Sequence, residues 1–220
     1  EKPAFMRSWV SWLERGGVFA IANIRGGGEF GESWHANGIK ENKQNSFDDF
    51  IGAAKHLIAK KYTNKNHLGI IGGSNGGLLV SAVLVQQPDL FRAVCSRVPL
   101  TDMLRFLKFG IAVRWVHEYG NPEMKNDLEN ILQWSPYHNV KAGVEYPSVF
   151  FLTAEKDTRV DPLHAKKMSA LLQSVNKHNR VFIFTQTEAG HGAGKPISQQ
   201  VDEQALILSF FAQELELICE

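Results

Sequence analysis

Cysteine is nearly absent, with only Cys95 and Cys219 in 220 residues and no C-x-x-C or framework of spacings between them. Neither a disulfide scaffold nor a thiolate metal site is indicated. Charge of one sign is also lacking, since 24 Lys and Arg stand against 23 Asp and Glu. No overall bias toward nucleic acid or an anionic membrane follows. No apolar run reaches membrane length and no leader is legible, so the expectation is a cytoplasmic protein, with the periplasm as the alternative. Repeats, linkers and low-complexity tracts are missing as well. What is present is a 44% apolar chain, enough to fill one core, and residues 1–220 read as one domain.

The strongest pattern runs from Leu68 to Val80, LGIIGGSNGGLLV. A short apolar run, a glycine-flanked serine and a second apolar run with helical spacing read as strand, sharp turn and helix. Gly72, Ser74 and Gly76 fit the G-x-S-x-G nucleophile elbow, in which small neighbours let the chain turn so tightly that the serine oxygen stands clear. Before it, Val18–Ala22 is an unbroken apolar run of the kind that suits a strand buried on both faces. Ser46 and Asp49 resemble a capping box for a helix reaching Lys61. After the elbow helix, which Pro88 stops, strands are expected at Phe91–Val98, Ser148–Ala154 and Val181–Phe184. Helices are expected from Asp161-Pro162 to Val175 and from Gln199 to Ile218, with an aromatic-rich insertion at Thr101–Tyr146. Strands alternating with helices predict an α/β fold, a mostly parallel sheet with helices on both faces.

Active groups in such sheets collect at the carboxyl ends of the strands. A serine nucleophile needs a base, the base needs an acid, and the elbow fixes the chain order as Ser, acid, His. Among eight histidines only His191 follows a late strand in a glycine-rich loop, whereas His56, His67 and His164 read as structural. His117 and His138, in the insertion, stay open as alternatives. Glu155, Asp157 and Asp161 all follow the right strand; Asp161 is explained as a helix cap, and Asp157, in mid-turn, is the choice. The backbone N–H of Asn75 supplies one oxyanion donor. The second belongs on a strand and loop N-terminal to Val18, so the chain reads as the later part of a longer hydrolase domain lacking its N-terminal strands. A rival motif, G-x-G-x-x-G at Gly26, Gly28 and Gly31, fails because no helix opens at once and no acid-ended strand follows.

Five spaced motifs then resemble one family: GGSNGGLLV (Gly72–Val80), NIRGGGEFGESWH (Asn23–His35), NKQNSFDDF (Asn42–Phe50), KDTRVDP (Lys156–Pro162) and AGHGAGKP (Ala189–Pro196). They resemble the prolyl oligopeptidases, serine peptidase family S9, over essentially the whole chain. The resemblance implies an α/β-hydrolase catalytic domain, joined in the family to a β-propeller that admits only short peptides. It implies a triad of Ser74, Asp157 and His191 and cleavage after proline, with no metal and no cofactor. Trp115 would stack on the proline ring, Arg159 would hold the carbonyl of the preceding residue, and Val160 would contribute to substrate binding. A flat indole suits a pyrrolidine, and a guanidinium is an always-charged donor. The chain departs from the family at Thr158, where an aspartate is common, and the family's tyrosine oxyanion donor would precede Glu1. The alternatives are a sister activity, cleavage after basic residues or removal of acylated amino acids, and a non-catalytic binding protein on the same fold.

Overall fold

The computed structural model describes residues 5–187, 190–191 and 196–217. In chain order the elements are α1 (Val10–Glu14), α2 (Glu32–Ala36), α3 (Lys43–Ala59), β1 (Gly69–Gly73), α4 (Asn75–Gln86) and β2 (Ala93–Arg97). They continue with α5 (Val116–Tyr119), α6 (Lys125–Trp134), β3 (Ser148–Ala154), α7 (Leu163–Val175), β4 (Val181–Gln186) and α8 (Ile197–Glu214). The four strands form one sheet in the order β1-β2-β3-β4, parallel throughout.

The apolar runs in β2 and β3 are continuous because both faces of the sheet are covered. Successive side chains on a strand point to opposite faces. Val94, Val149 and Phe151 accordingly enter a core with Phe47 and Ile51 of α3, Leu78 of α4, and Met168 and Leu172 of α7. Ala93, Cys95, Phe150 and Leu152 turn the other way, onto Trp9 just before α1, Trp12 of α1, and Ile207, Phe210 and Phe211 of α8. The result is the expected three layers. Cys95 is a core residue whose thiol is raised in pKa by burial, the condition of an inert cysteine. Cys219 lies outside the described residues.

Strand register sets the active end. Gly73 lies beside Arg97, Arg97 beside Leu152, and Ala154 beside Gln186. The segments that leave β1, β3 and β4, carrying Ser74, Asp157 and His191, therefore emerge at the same edge. The aromatic-rich stretch is built of short helices and turns, and Gly110 within it lies against the Asp157 turn: a Cβ there would be 3.2 Å from the Thr158 carbonyl oxygen.

Some local expectations fail for identifiable reasons. Val18–Ala22 is not a strand. A strand exists only by pairing, and among the described residues β1 pairs with β2 alone, leaving this segment with no ladder partner and Val18 and Ile21 exposed. Ser46 and Asp49 cap nothing. The helix starts earlier, at Lys43, and both side chains reach instead to residues 25–38. Ser46 Oγ donates to the Arg25 carbonyl at 2.7 Å, and Asp49 accepts from the Arg25 backbone N–H and guanidinium at 2.6–2.9 Å. Helix α7 begins one residue later than expected, with the Asp161 carboxylate accepting from the Leu163 N–H at 2.8 Å. Helix α8 begins at Ile197 and ends at Glu214; the expected end at Ile218 and most of the Ala189–Gly194 loop lie outside the described residues.

Candidate active site

Ser74 joins β1 to α4 with φ 56° and ψ −116°, a left-handed conformation that strains any residue but glycine and that persists only where surroundings enforce it. Two backbone bonds enforce it. The Ser74 N–H donates to the Arg97 carbonyl at 2.9 Å, and the Ser74 carbonyl accepts from the Leu78 N–H at 3.0 Å. The glycines divide unevenly. A Cβ on Gly72 would lie 2.1 Å from the Gly76 carbonyl oxygen, and one on Gly77 would lie 2.8 Å from the Arg97 carbonyl oxygen, but one on Gly76 would touch nothing within 4 Å. Close approach thus requires glycine at 72 and 77; the second glycine of the motif is not a steric requirement.

Ser74, His191 and Asp157 come together in one line. Ser74 Oγ lies 3.2 Å from His191 Nε2, and His191 Nδ1 lies 2.7 Å from Asp157 Oδ2. Asp157 sits in the turn after β3 with its side chain fully buried. Its other oxygen, Oδ1, accepts from the backbone N–H groups of Arg159 and Val160, each at 2.9 Å. Burial opposes ionisation of this carboxyl. The hydrogen bonds from His191, Val160 and Arg159 outweigh that cost and hold its pKa below the ordinary aspartate value. An ionised carboxylate can only accept, so Nδ1 must carry the ring proton, and Nε2 is left with the lone pair that faces Ser74. Glu155 is exposed, and Asp161 is engaged at the start of α7.

Four of the other histidines are bonded elsewhere. His164 is buried, its Nδ1 accepting from the N–H groups of Thr101 and Asp102 at 3.2 and 3.1 Å, and burial pushes its pKa down to about 4. His138 Nδ1 meets Ser135 Oγ at 2.8 Å, and His117 is exposed on α5. His35 and His67 bond to backbone carbonyls.

Asn75 opens α4, where the first N–H groups have no intrahelical acceptor and the helix end is partially positive. That suits an oxyanion formed at Ser74. Trp115 is half-buried on the core and immediately precedes α5. Arg159 is exposed. Val160 is buried in the core, and its N–H is committed to Asp157, so it steadies the acid turn. Three residues not legible in the sequence also belong here: Tyr119 and Glu118 of α5 meet the Asn75 side chain, and Lys43 pairs with Glu118. Their separation from Asn75 along the chain left no local pattern to read. Among the described residues no cluster of three or more His, Cys, Asp or Glu is placed to hold a metal, and no helix is long and apolar enough to cross a membrane.

Residues 3–217 match the model of the prolyl oligopeptidase family. A prolyl endopeptidase of Elizabethkingia miricola is 44% identical over 216 residues, covering 97% of this chain and 31% of that protein. A solved prolyl endopeptidase superposes with a TM-score of 0.93 at 42% identity, covering 97% of this chain and 32% of the other. A post-proline cleaving enzyme from Rickettsia typhi gives 0.94 at 38% identity, over 98% of this chain and 31% of that one. The chain spans about three tenths of the length of these relatives. Its fold is of the α/β-hydrolase type, and the chain belongs to the prolyl oligopeptidase family.

Proposed function

We propose that this chain is the catalytic part of a serine endopeptidase that hydrolyses short peptides on the carboxyl side of proline. The observation that carries the reading is the line Asp157–His191–Ser74, with separations of 2.7 and 3.2 Å. Ser74 Oγ attacks the scissile carbonyl carbon while His191 Nε2 takes its proton. The oxyanion so formed is met by the Asn75 N–H, and Asp157 stabilises the imidazolium. His191 then protonates the departing amine. Water, deprotonated by the same nitrogen, attacks the acyl-enzyme carbonyl and releases the peptide ending in proline. No metal or cofactor enters these steps.

Trp115 supplies the face for the proline ring, and Arg159, exposed beside the acid turn, offers a charged donor to the carbonyl before it. In the whole protein we assign residues 1–220 to an α/β-hydrolase domain completed by preceding strands, a second oxyanion donor and a propeller. Short proline-containing peptides are the partners, not nucleic acid or membrane.

The test is turnover by the full-length protein of a proline-amide substrate beside arginine-amide and ester substrates. Hydrolysis of the proline amide alone, abolished in Ser74→Ala by on the order of 10⁶, is the expected result. Preference for the arginine amide would move the reading to a sister activity of the family.

A further inference from the structure

The side chain of Asn75 is gripped at both ends. Tyr119 Oη donates to its Oδ1 at 3.1 Å, and its Nδ2 donates to Glu118 Oε1 at 3.5 Å. Glu118 accepts from Lys43 Nζ at 2.7 Å, and the same ammonium lies 5.3 Å from the centroid of the Tyr119 ring. Lys43 is only 3% exposed, and a lysine so buried is costly unless paired. Asn75, by contrast, is exposed, so water could satisfy its amide. What the bonds from α5 add is therefore orientation rather than rescue of a buried polar group. Three elements remote in sequence, the start of α3, α5 and the elbow, meet on the residue directly after Ser74.

We propose that Tyr119, Glu118 and Lys43 are positioning residues that act through the Asn75 side chain to aim the Asn75 N–H at the developing oxyanion; this rests on the reading of Ser74 as nucleophile. The first turn of a helix has no intrahelical acceptor for its N–H groups and so the least intrinsic restraint on their direction. Anchoring the side chain to α5, and α5 to α3 through the buried ion pair, removes that freedom. Oxyanion bonds strengthen in the transition state, so the grip acts on kcat and leaves KM nearly alone.

The experiment uses the full-length protein and a proline-amide substrate, with active sites counted by fluorophosphonate titration. Tyr119→Phe keeps the ring and removes only the donor. It is expected to lower kcat per titrated site roughly fivefold, the worth of one net hydrogen bond, with KM held within about twofold. Asn75→Ala keeps the backbone N–H and should lose about as much. Adding Tyr119→Phe to Asn75→Ala should then cost nothing more, because the handle is already gone. If Tyr119→Phe leaves kcat unchanged, acts on KM alone, or costs the same factor with and without the Asn75 side chain, positioning through Asn75 is overturned while the nucleophile stands. A wild-type protein that neither labels nor cleaves the substrate would overturn the nucleophile reading itself, and the proposal with it.

Discussion

Two carboxylate–histidine clusters lie beyond the strands of this sheet, and only one is arranged for chemistry. At Asp157 the carboxylate receives one ring N–H and two backbone N–H groups, and the imidazole beyond it keeps a free nitrogen toward Ser74. At Asp102 the carboxylate is fully buried, bound by Lys167 and by Arg105 at 3.1 Å, with His138 at 3.6 Å. The nearby His164 has its Nδ1 lone pair taken by two backbone N–H groups. Ser135 lies within reach of His138 at 2.8 Å, so a list of residue types would make the two clusters look alike. What separates them is how their atoms are spent. Asp102 is neutralised by cations and ties the segment after β2 to α7. Among the described residues Asp157 meets no permanent cation, and in the proposed mechanism it stabilises an imidazolium when one forms.

The comparison can be broken at its strong end first. Asp157→Asn should lower kcat by about 10⁴, because an amide no longer fixes the Nδ1–H tautomer. Steady-state kinetics beside a melting curve measures this, and a change below about tenfold would place the acid elsewhere. At the other cluster the expected change is in stability. Burial pushes the pKa of His164 down from the ordinary histidine value near 6.5 to about 4. Its lowered folded value means that stability is complete above about pH 6.5 and is lost as the unfolded chain takes up the proton, down to about pH 4. Desolvation leads this shift, Asp102 and Asp161 oppose it and Lys167 adds to it. Roughly 3 kcal/mol should disappear across the window. Denaturant titrations at pH 7, 5.5 and 4 should show it, and His164→Asn should flatten that part of the curve.

Smaller effects sharpen the contrast. Asp102→Asn should cost about 1–3 kcal/mol of stability through its lost charge-assisted bonds, yet leave kcat per active site unchanged; a loss of kcat would show that the two clusters are coupled. Trp115→Ala should reduce preference for proline over alanine substrates by roughly 1–3 kcal/mol. Equal losses on both substrates would remove Trp115 from the specificity pocket. Least of all, Gly76→Ala should leave stability equal or raise it by up to about 1 kcal/mol, since a helical glycine with open space gains from a methyl group. Gly72→Ala, whose Cβ would lie 2.1 Å from a carbonyl oxygen, should prevent the elbow from forming.

The strands, the elbow and the order of Ser74, Asp157 and His191 were legible in the sequence, because continuous apolar runs and glycine-rich turns are local signals. Ser148–Ala154 is the clearest case: seven residues buried on both faces read as a strand with the observed ends. Val18–Ala22 carries the same kind of signal and is no strand, since pairing depends on a neighbour that a local run cannot specify. Ser46 and Asp49 misled in a related way. Their spacing fits a cap, but the two side chains bond 21 and 24 residues back, to Arg25. The contacts that grip Asn75 span 43 and 44 residues, and Lys43 reaches Glu118 over 75. Only folding brings such groups together, so a periodicity could not reveal them.

The central claim is that Ser74 is the nucleophile, and covalent labelling addresses it most directly. The full-length protein would be treated with a fluorophosphonate, digested, and the phosphonylated peptide mapped by mass spectrometry. The account predicts a single adduct on Ser74, absent from Ser74→Ala and formed more slowly in Asp157→Asn. An adduct on any other residue, or labelling undiminished in Ser74→Ala, would contradict it.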